Sequence, residues 1–244
     1  MGFFDSLFGG GGSGPDKALK LKPKVTQKFG DPATRQKAIQ QLGEMRIPEA
    51  VSVLLQRYNI TVEPLTTDAD EKEHVFELVR GYGKDAVAPL TDFLRKNDQA
   101  TSWALRLLEA VLPEQEVIGI AVEALTWLSP QYARDPEKKV VLLHYVTGKQ
   151  DPRIGAAVLP YLEDMADDVK IAALKALGPL KHEPAREPML RLLTAKDTAR
   201  RVQMTALGAL QESGFDVKDF REQVEPLVAE PFFLDGRGVL QRRA

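Results

Sequence analysis

The sequence predicts an all-α protein, a right-handed α-solenoid of about six helix pairs. Three observations predict it. Segments that open on an acid and run into a helical pattern begin at Asp31, Asp68, Asp98, Asp135, Asp167 and Asp197, at spacings of 37, 30, 37, 32 and 30 residues; a period of this size marks a repeat architecture. Each is followed by a second amphipathic stretch: EAVSVLLQRY, DAVAPLTDFLRK, EVIGIAVEALTWL, GAAVLPYLED, EPMLRLLTA and FREQVEPLVA. Strand patterns are nearly absent. One helix pair cannot bury both its apolar faces, so stacking of neighbours supplies the core.

Each element has its own local logic. The opening acid can accept from unpaired N–H groups and favours the positive end of the helix dipole. In the fifth unit Val169, Ala172, Ala173, Ala176, Leu177 and Leu180 recur at helical spacing, and in the sixth Val202, Ala206, Leu207, Ala209 and Leu210 do the same. Gly43, Gly83, Gly148, Gly178 and Gly208 fall near the ends of first helices, where a turn needs no side chain. Pro48 and Pro188 stand where second helices should begin, Pro89 falls within a first turn, and Pro160 lies deeper, where a kink is expected. At the end, PFFLDGRGVLQRRA either closes a short hairpin at DGRG or forms an extended tail; a tail folded back over the last repeat is the preferred reading. The resulting division is 1–14, an amphipathic motif with a Gly-rich linker; 15–30, a basic leader; 31–229, the solenoid; and 230–244, the capping tail.

The pattern D-x-x-[VI]-[RK]-x-x-A-x-x-A-L-G followed by a second helix resembles the HEAT-like repeats of the bilin-lyase type. DDVKIAALKALG at 167–178 and DTARRVQMTALG at 197–208 carry it. The second to fourth units match in period and pairing, with His74–Val75, Trp103–Ala104 and Val140–Val141 in place of the small-residue consensus. The resemblance implies a fold that offers extended surfaces to partners. Bilin lyases attach tetrapyrroles, and a bilin-lyase-related enzyme or enzyme accessory is the alternative it leaves open. Deoxyhypusine hydroxylases resemble this architecture too, but carry several His-Glu pairs that ligate iron, where this chain has His182–Glu183. DNA glycosylases of the HEAT-like class line a groove with basic and aromatic residues, which a net acidic body does not suit.

Composition narrows the classes further. The chain of 244 residues carries a net charge of −2 and no cysteine, which excludes disulfides, thiolate metal sites and cysteine nucleophiles. Asp5 and Ser6 interrupt the apolar opening too early for a secretory signal, no apolar run is long enough to span a bilayer, and a cytoplasmic location is expected. Residues 1–30 hold five lysines against Asp5 and Asp16, a surplus of +3 on a body of −5. Nucleic acid is therefore not an expected partner, whereas the leader can seek an anionic surface.

No catalytic constellation is apparent, and neither a metal nor a cofactor is expected. His74, His144 and His182 lie in different repeats without ligand spacing; His144 reads as a partly buried packing residue and His182 as part of a turn. GGGGSG at 9–14 satisfies G-x-G-x-x-G, but no strand precedes it and Pro15 stands where a P-loop needs lysine, so it reads as a flexible linker. The chain is accordingly expected not to be an enzyme.

Two candidate interaction sites remain. On second helices, Arg57, Tyr58, Arg95, Trp127 and Arg191 are candidates for a concave groove that binds a protein partner, since arginine and aromatic residues dominate binding hot spots. Trp103 belongs to a first helix and reads as core packing. At the N-terminus, Phe4, Leu7 and Phe8 fall at i, i+3 and i+4 with Phe3 beside them, ahead of Lys17, Lys20, Lys22 and Lys24. So short a helix is unstable alone and folds when its apolar face is covered. An anionic membrane would bury the aromatics while the lysines meet headgroups; a protein groove would accept the same face. MGFFDS also satisfies the myristoylation pattern at Gly2, and a leader without function is the remaining reading.

Overall fold

A computed structural model describes residues 13–128, 133 and 135–243. Phe3, Phe4, Leu7 and Phe8 lie outside them. The described residues are mostly helical, with thirteen α-helices, and the chain divides into two compact units, 1–113 and 114–244.

The first unit contains α1 (Gly14–Val25), α2 (Pro32–Met45), α3 (Pro48–Leu55), α4 (Leu65–Arg80), α5 (Val87–Lys96) and α6 (Thr101–Val111). Helix α2 packs on α4 and α4 on α6, while α1 packs on α3 and α3 on α5, so the helices form two layers. Ala38, Ile39, Leu42, Val75 and Val79 from one layer and Val51, Leu54, Leu55, Leu90 and Leu94 from the other are buried between them. The N-terminal caps follow the sequence in part. Asp31 accepts from the Ala33 N–H at 3.1 Å and Pro48 opens α3. Asp68, by contrast, is no cap: α4 starts at Leu65, which carries Asp68 into its first turn and into the interior. Gly43 lies inside α2, where a Cβ would stand 2.6 Å from Leu78 Cδ2, so its role is close approach of α2 and α4. Gly83 does sit in a left-handed turn, at φ +56°.

The second unit contains α7 (Glu114–Trp127), α8 (Glu137–Val146), α9 (Ile154–Val158), α10 (Asp167–Leu177), α11 (Arg186–Thr194), α12 (Arg200–Ser213) and α13 (Arg221–Val224). Helix α8 packs on α10 and α10 on α12; α7 packs on α9, and α11 on α13. The stripe Val169, Ala172, Ala173, Ala176 and Leu177 is buried, as is Val202, Ala206, Leu207, Ala209 and Leu210. At Pro160 the α-helix gives way to a 3-10 turn over Leu159–Glu163, the local answer to a missing N–H.

The preferred extended-tail reading of the C-terminus is corrected. Strands β1 (Phe232–Leu234) and β2 (Leu240–Arg242) pair antiparallel, with Phe233 opposite Gln241. The Asp235 carboxylate organises the turn by accepting from the N–H groups of Arg237 (2.8 Å) and Val239 (2.9 Å). Strand β2 rests on α12 and buries Leu240, so this segment is a hairpin and not an extended tail.

The basic leader is corrected as well. Residues 15–30 do not precede the fold: α1 is a full helix of the first unit, packed on α2 and α3.

Candidate functional site

Helix α1 is built from its cap onward. The Asp16 N–H donates to Ser13 Oγ at 3.5 Å, and Asp16 Oδ2 accepts from the Ser13 N–H at 3.2 Å and its hydroxyl at 2.8 Å. This reciprocal box starts the helix and commits the acid of the first turn to the helix end. Ala18, Leu21 and Val25, at i, i+3 and i+7, turn inward: Ala18 and Val25 are buried and Leu21 half-buried. Lys17, Lys20 and Lys24 then line one flank and Lys22 the other, all exposed. Leu19 and Pro23 lie between the flanks on the outer face. Lys17, Lys20 and Leu21 also border a shallow hollow of about 420 Å³ with Gln41, Glu44 and Met45 of α2.

The groove candidates separate. Arg57 and Tyr58 are corrected: neither lines a surface. Arg57 is fully buried, at 0% exposure, at the centre of a charged cluster. Its Nε donates to Glu71 Oε2 at 2.9 Å, its Nη2 to Asp68 Oδ1 at 2.8 Å and its Nη1 to the Ile60 carbonyl at 3.1 Å. Arg35 adds a bidentate pair to the same Glu71, and Lys72 donates to Asp68 Oδ2 at 2.7 Å. Burial alone would raise both carboxyl pKa values; the hydrogen bonds from Arg35 and Arg57 on Glu71, and from Lys72, Arg57 and the Val62 N–H on Asp68, outweigh it and hold both below the ordinary range. Tyr58 is buried, stacks on Trp103 at 4.7 Å between centroids and donates its hydroxyl to the Lys72 carbonyl at 3.1 Å. Arg106 in turn lies 4.7 Å from the rings of both Trp103 and Phe76.

Arg95 is exposed on α5 in the first unit. In the second, Trp127 is 38% exposed at the end of α7. Arg191 is exposed on α11, bonds Glu187 at 2.5 Å, and borders a cleft of about 500 Å³ with Leu162, Lys170, Pro188 and Asp197.

No protein-family model matches the chain, and no curated protein matches it. Among solved structures it is similar to human deoxyhypusine hydroxylase in complex with glycerol, at 13% identity and a TM-score of 0.34, over 88% of this chain and 92% of that one. One expectation is corrected on this finding. The matched structure is that of an enzyme, so the expectation that this chain is not an enzyme is withdrawn. A likeness of this size assigns no reaction, ligand or residue role.

His182 opens the 3-10 turn Glu183–Ala185, in line with its sequence reading, whereas His144 departs from its own. His144 is exposed on α8, where a packing role was expected. His182 packs over Gly155, whose Cβ would fall 2.6 Å from the imidazole. Among the described residues no three His, Asp or Glu side chains are placed to share a metal ion, and no helix is long and apolar enough to cross a membrane. Sequence reasoning also missed the buried pair in which Lys139 donates to Asp164 at 2.7 Å; charged residue type alone gave no signal for it.

Proposed function

We propose that the chain is an adaptor: a right-handed solenoid of about six HEAT-like helix pairs that presents a surface to a protein partner and attaches to an anionic membrane through its N-terminus. The observation that carries this reading is the exposed lysine face of α1, which follows directly on the aromatic segment Phe3, Phe4, Leu7 and Phe8. Apolar burial and lysine attraction act together in such a motif, each lysine near an anionic surface contributing about 1 kcal/mol. Because α1 packs on α2 and α3, its lysines hold fixed positions on a folded unit, which lowers the ordering cost of meeting a charged surface. For partner contacts, exposed Arg95 on the first unit and, separately, exposed Trp127 and Arg191 on the second are candidates of the residue types found at hot spots.

Co-sedimentation with vesicles rich in phosphatidylserine tests the attachment. The parent chain should pellet with them, and Phe4→Glu combined with Phe8→Glu should abolish pelleting while leaving the melting temperature unchanged. A parent chain that stays in the supernatant removes the reading.

A further inference from the structure

Exposed apolar side chains are not spread evenly over the first unit. Among its described residues Leu19, Phe29 and Leu65 are the large apolar side chains left in solvent. Two of the three belong to the stretch 17–29, which holds five lysines and no acid. Phe29 is 82% exposed and Leu19 56%; leaving a phenylalanine this far in water forgoes the burial that drives folding. The Lys28 ammonium lies 6.0 Å from the Phe29 ring centroid, so charge and ring occupy the same point of the surface.

We infer that the folded unit carries its own apolar anchor for an anionic bilayer: Leu19 and Phe29 enter the interface while Lys17, Lys20, Lys22, Lys24 and Lys28 meet the headgroups around them. The inference rests on the membrane reading above and extends it from the aromatic N-terminal segment to the packed helix. Three features argue for a bilayer. Lysines on both flanks of α1, with Leu19 and Pro23 between them, match a helix lying in the interface plane, where long cationic side chains reach outward to headgroups while apolar ones point down. Charge favours an anionic surface: residues 17–29 hold five lysines and no acid, and Asp16, Glu44 beside Lys17 and Lys20, and Glu63 beside Phe29 offset only part of it. A projecting phenylalanine needs a matching pocket in a rigid partner, whereas a fluid interface takes it without one.

Pro23 also limits the depth. It has no N–H to donate to the Leu19 carbonyl one turn earlier, and a turn short of one regular backbone hydrogen bond is tolerated at the hydrated headgroup level but costly in hydrocarbon. Helix α1 therefore sits at headgroup depth, with the side chains alone reaching below.

The absence of cysteine makes the test site-specific. Single variants Leu19→Cys, Phe29→Cys and, as a control on α4, Asp70→Cys are made in the full chain and labelled with an environment-sensitive fluorophore. With saturating phosphatidylserine vesicles, the labels at 19 and 29 should shift to the blue and the label at 70 should not. Phe29→Ser should lower the partition coefficient by about tenfold with an unchanged circular dichroism spectrum. If the parent binds these vesicles but neither label shifts and Phe29→Ser binds like the parent, this inference is overturned and the attachment through the aromatic segment stands. If the parent does not bind them, both are overturned.

Discussion

Glu71 accepts both hydrogen bonds of a bidentate pair from Arg35, at 2.6 Å from Nε and 2.9 Å from Nη2. The two side chains come from α4 and α2, helices of one layer, and both are buried. With Arg57 on the same carboxylate, Glu71 fixes two guanidinium groups in the interior.

Removing that charge should be expensive. Glu71→Gln leaves two buried cations facing a neutral amide, and breaking a buried pair costs about 3–5 kcal/mol. Glu73→Gln, which loses only an exposed contact to Arg106 at 3.4 Å, should change stability by at most about 1 kcal/mol. Urea unfolding of both variants checks the contrast; equal midpoints would mean that the cluster does not hold the first unit.

Acid should weaken the same cluster. Glu71 and Asp68 titrate lower in the folded state than their ordinary values, so the unfolded chain takes up protons first. Their contribution is fully present above the unfolded carboxyl values of about 4 and is lost as pH falls through the lower folded values. Denaturation midpoints measured between neutral and strongly acidic pH should fall most steeply at the acid end, and less steeply in Glu71→Gln. Parallel profiles would contradict this assignment.

The seam between helices of the second unit offers a packing test. Leu177 is fully buried on α10, and Leu177→Ala should cost about 2–5 kcal/mol through the cavity it leaves. Lys175→Ala, exposed on the same helix, should stay within about 0.5 kcal/mol of the parent. Comparable losses would place the apolar stripe wrongly.

The hairpin should stabilise the helix beneath it. Leu240→Ala removes a fully buried side chain from β2 against α12, and a cost of about 2–4 kcal/mol is expected. Amide exchange in α12 should rise in this variant; unchanged protection would show that the hairpin is not a cap.

These cases also show where the sequence was legible. Apolar stripes such as Val202, Ala206, Leu207 and Leu210 were readable because burial on a helix repeats at the helical period, and all four are buried. Arg57 was misread because charged type suggests surface, while its partners Asp68 and Glu71 lie 11 and 14 residues away, beyond any local pattern. Helix α1 was legible and overlooked: Ser13 and Asp16 stand at capping-box spacing, and Ala18, Leu21 and Val25 follow at i, i+3 and i+7. The glycine run before it obscured the start, since Ser13 and Gly14 were counted as linker although they cap and begin the helix.

Vesicle binding across a salt titration decides whether the α1 lysines hold the chain to an anionic membrane. The full chain is compared with the variant carrying Lys17→Gln, Lys20→Gln, Lys22→Gln and Lys24→Gln, on vesicles with and without phosphatidylserine. The parent should bind the anionic vesicles strongly at low salt and more weakly as salt rises, because screening removes the lysine contribution. The variant should bind at least about tenfold more weakly at low salt, at about 1 kcal/mol for each lysine near the surface. Equal binding to neutral and anionic vesicles, or a quadruple variant that binds like the parent, would contradict attachment through these lysines.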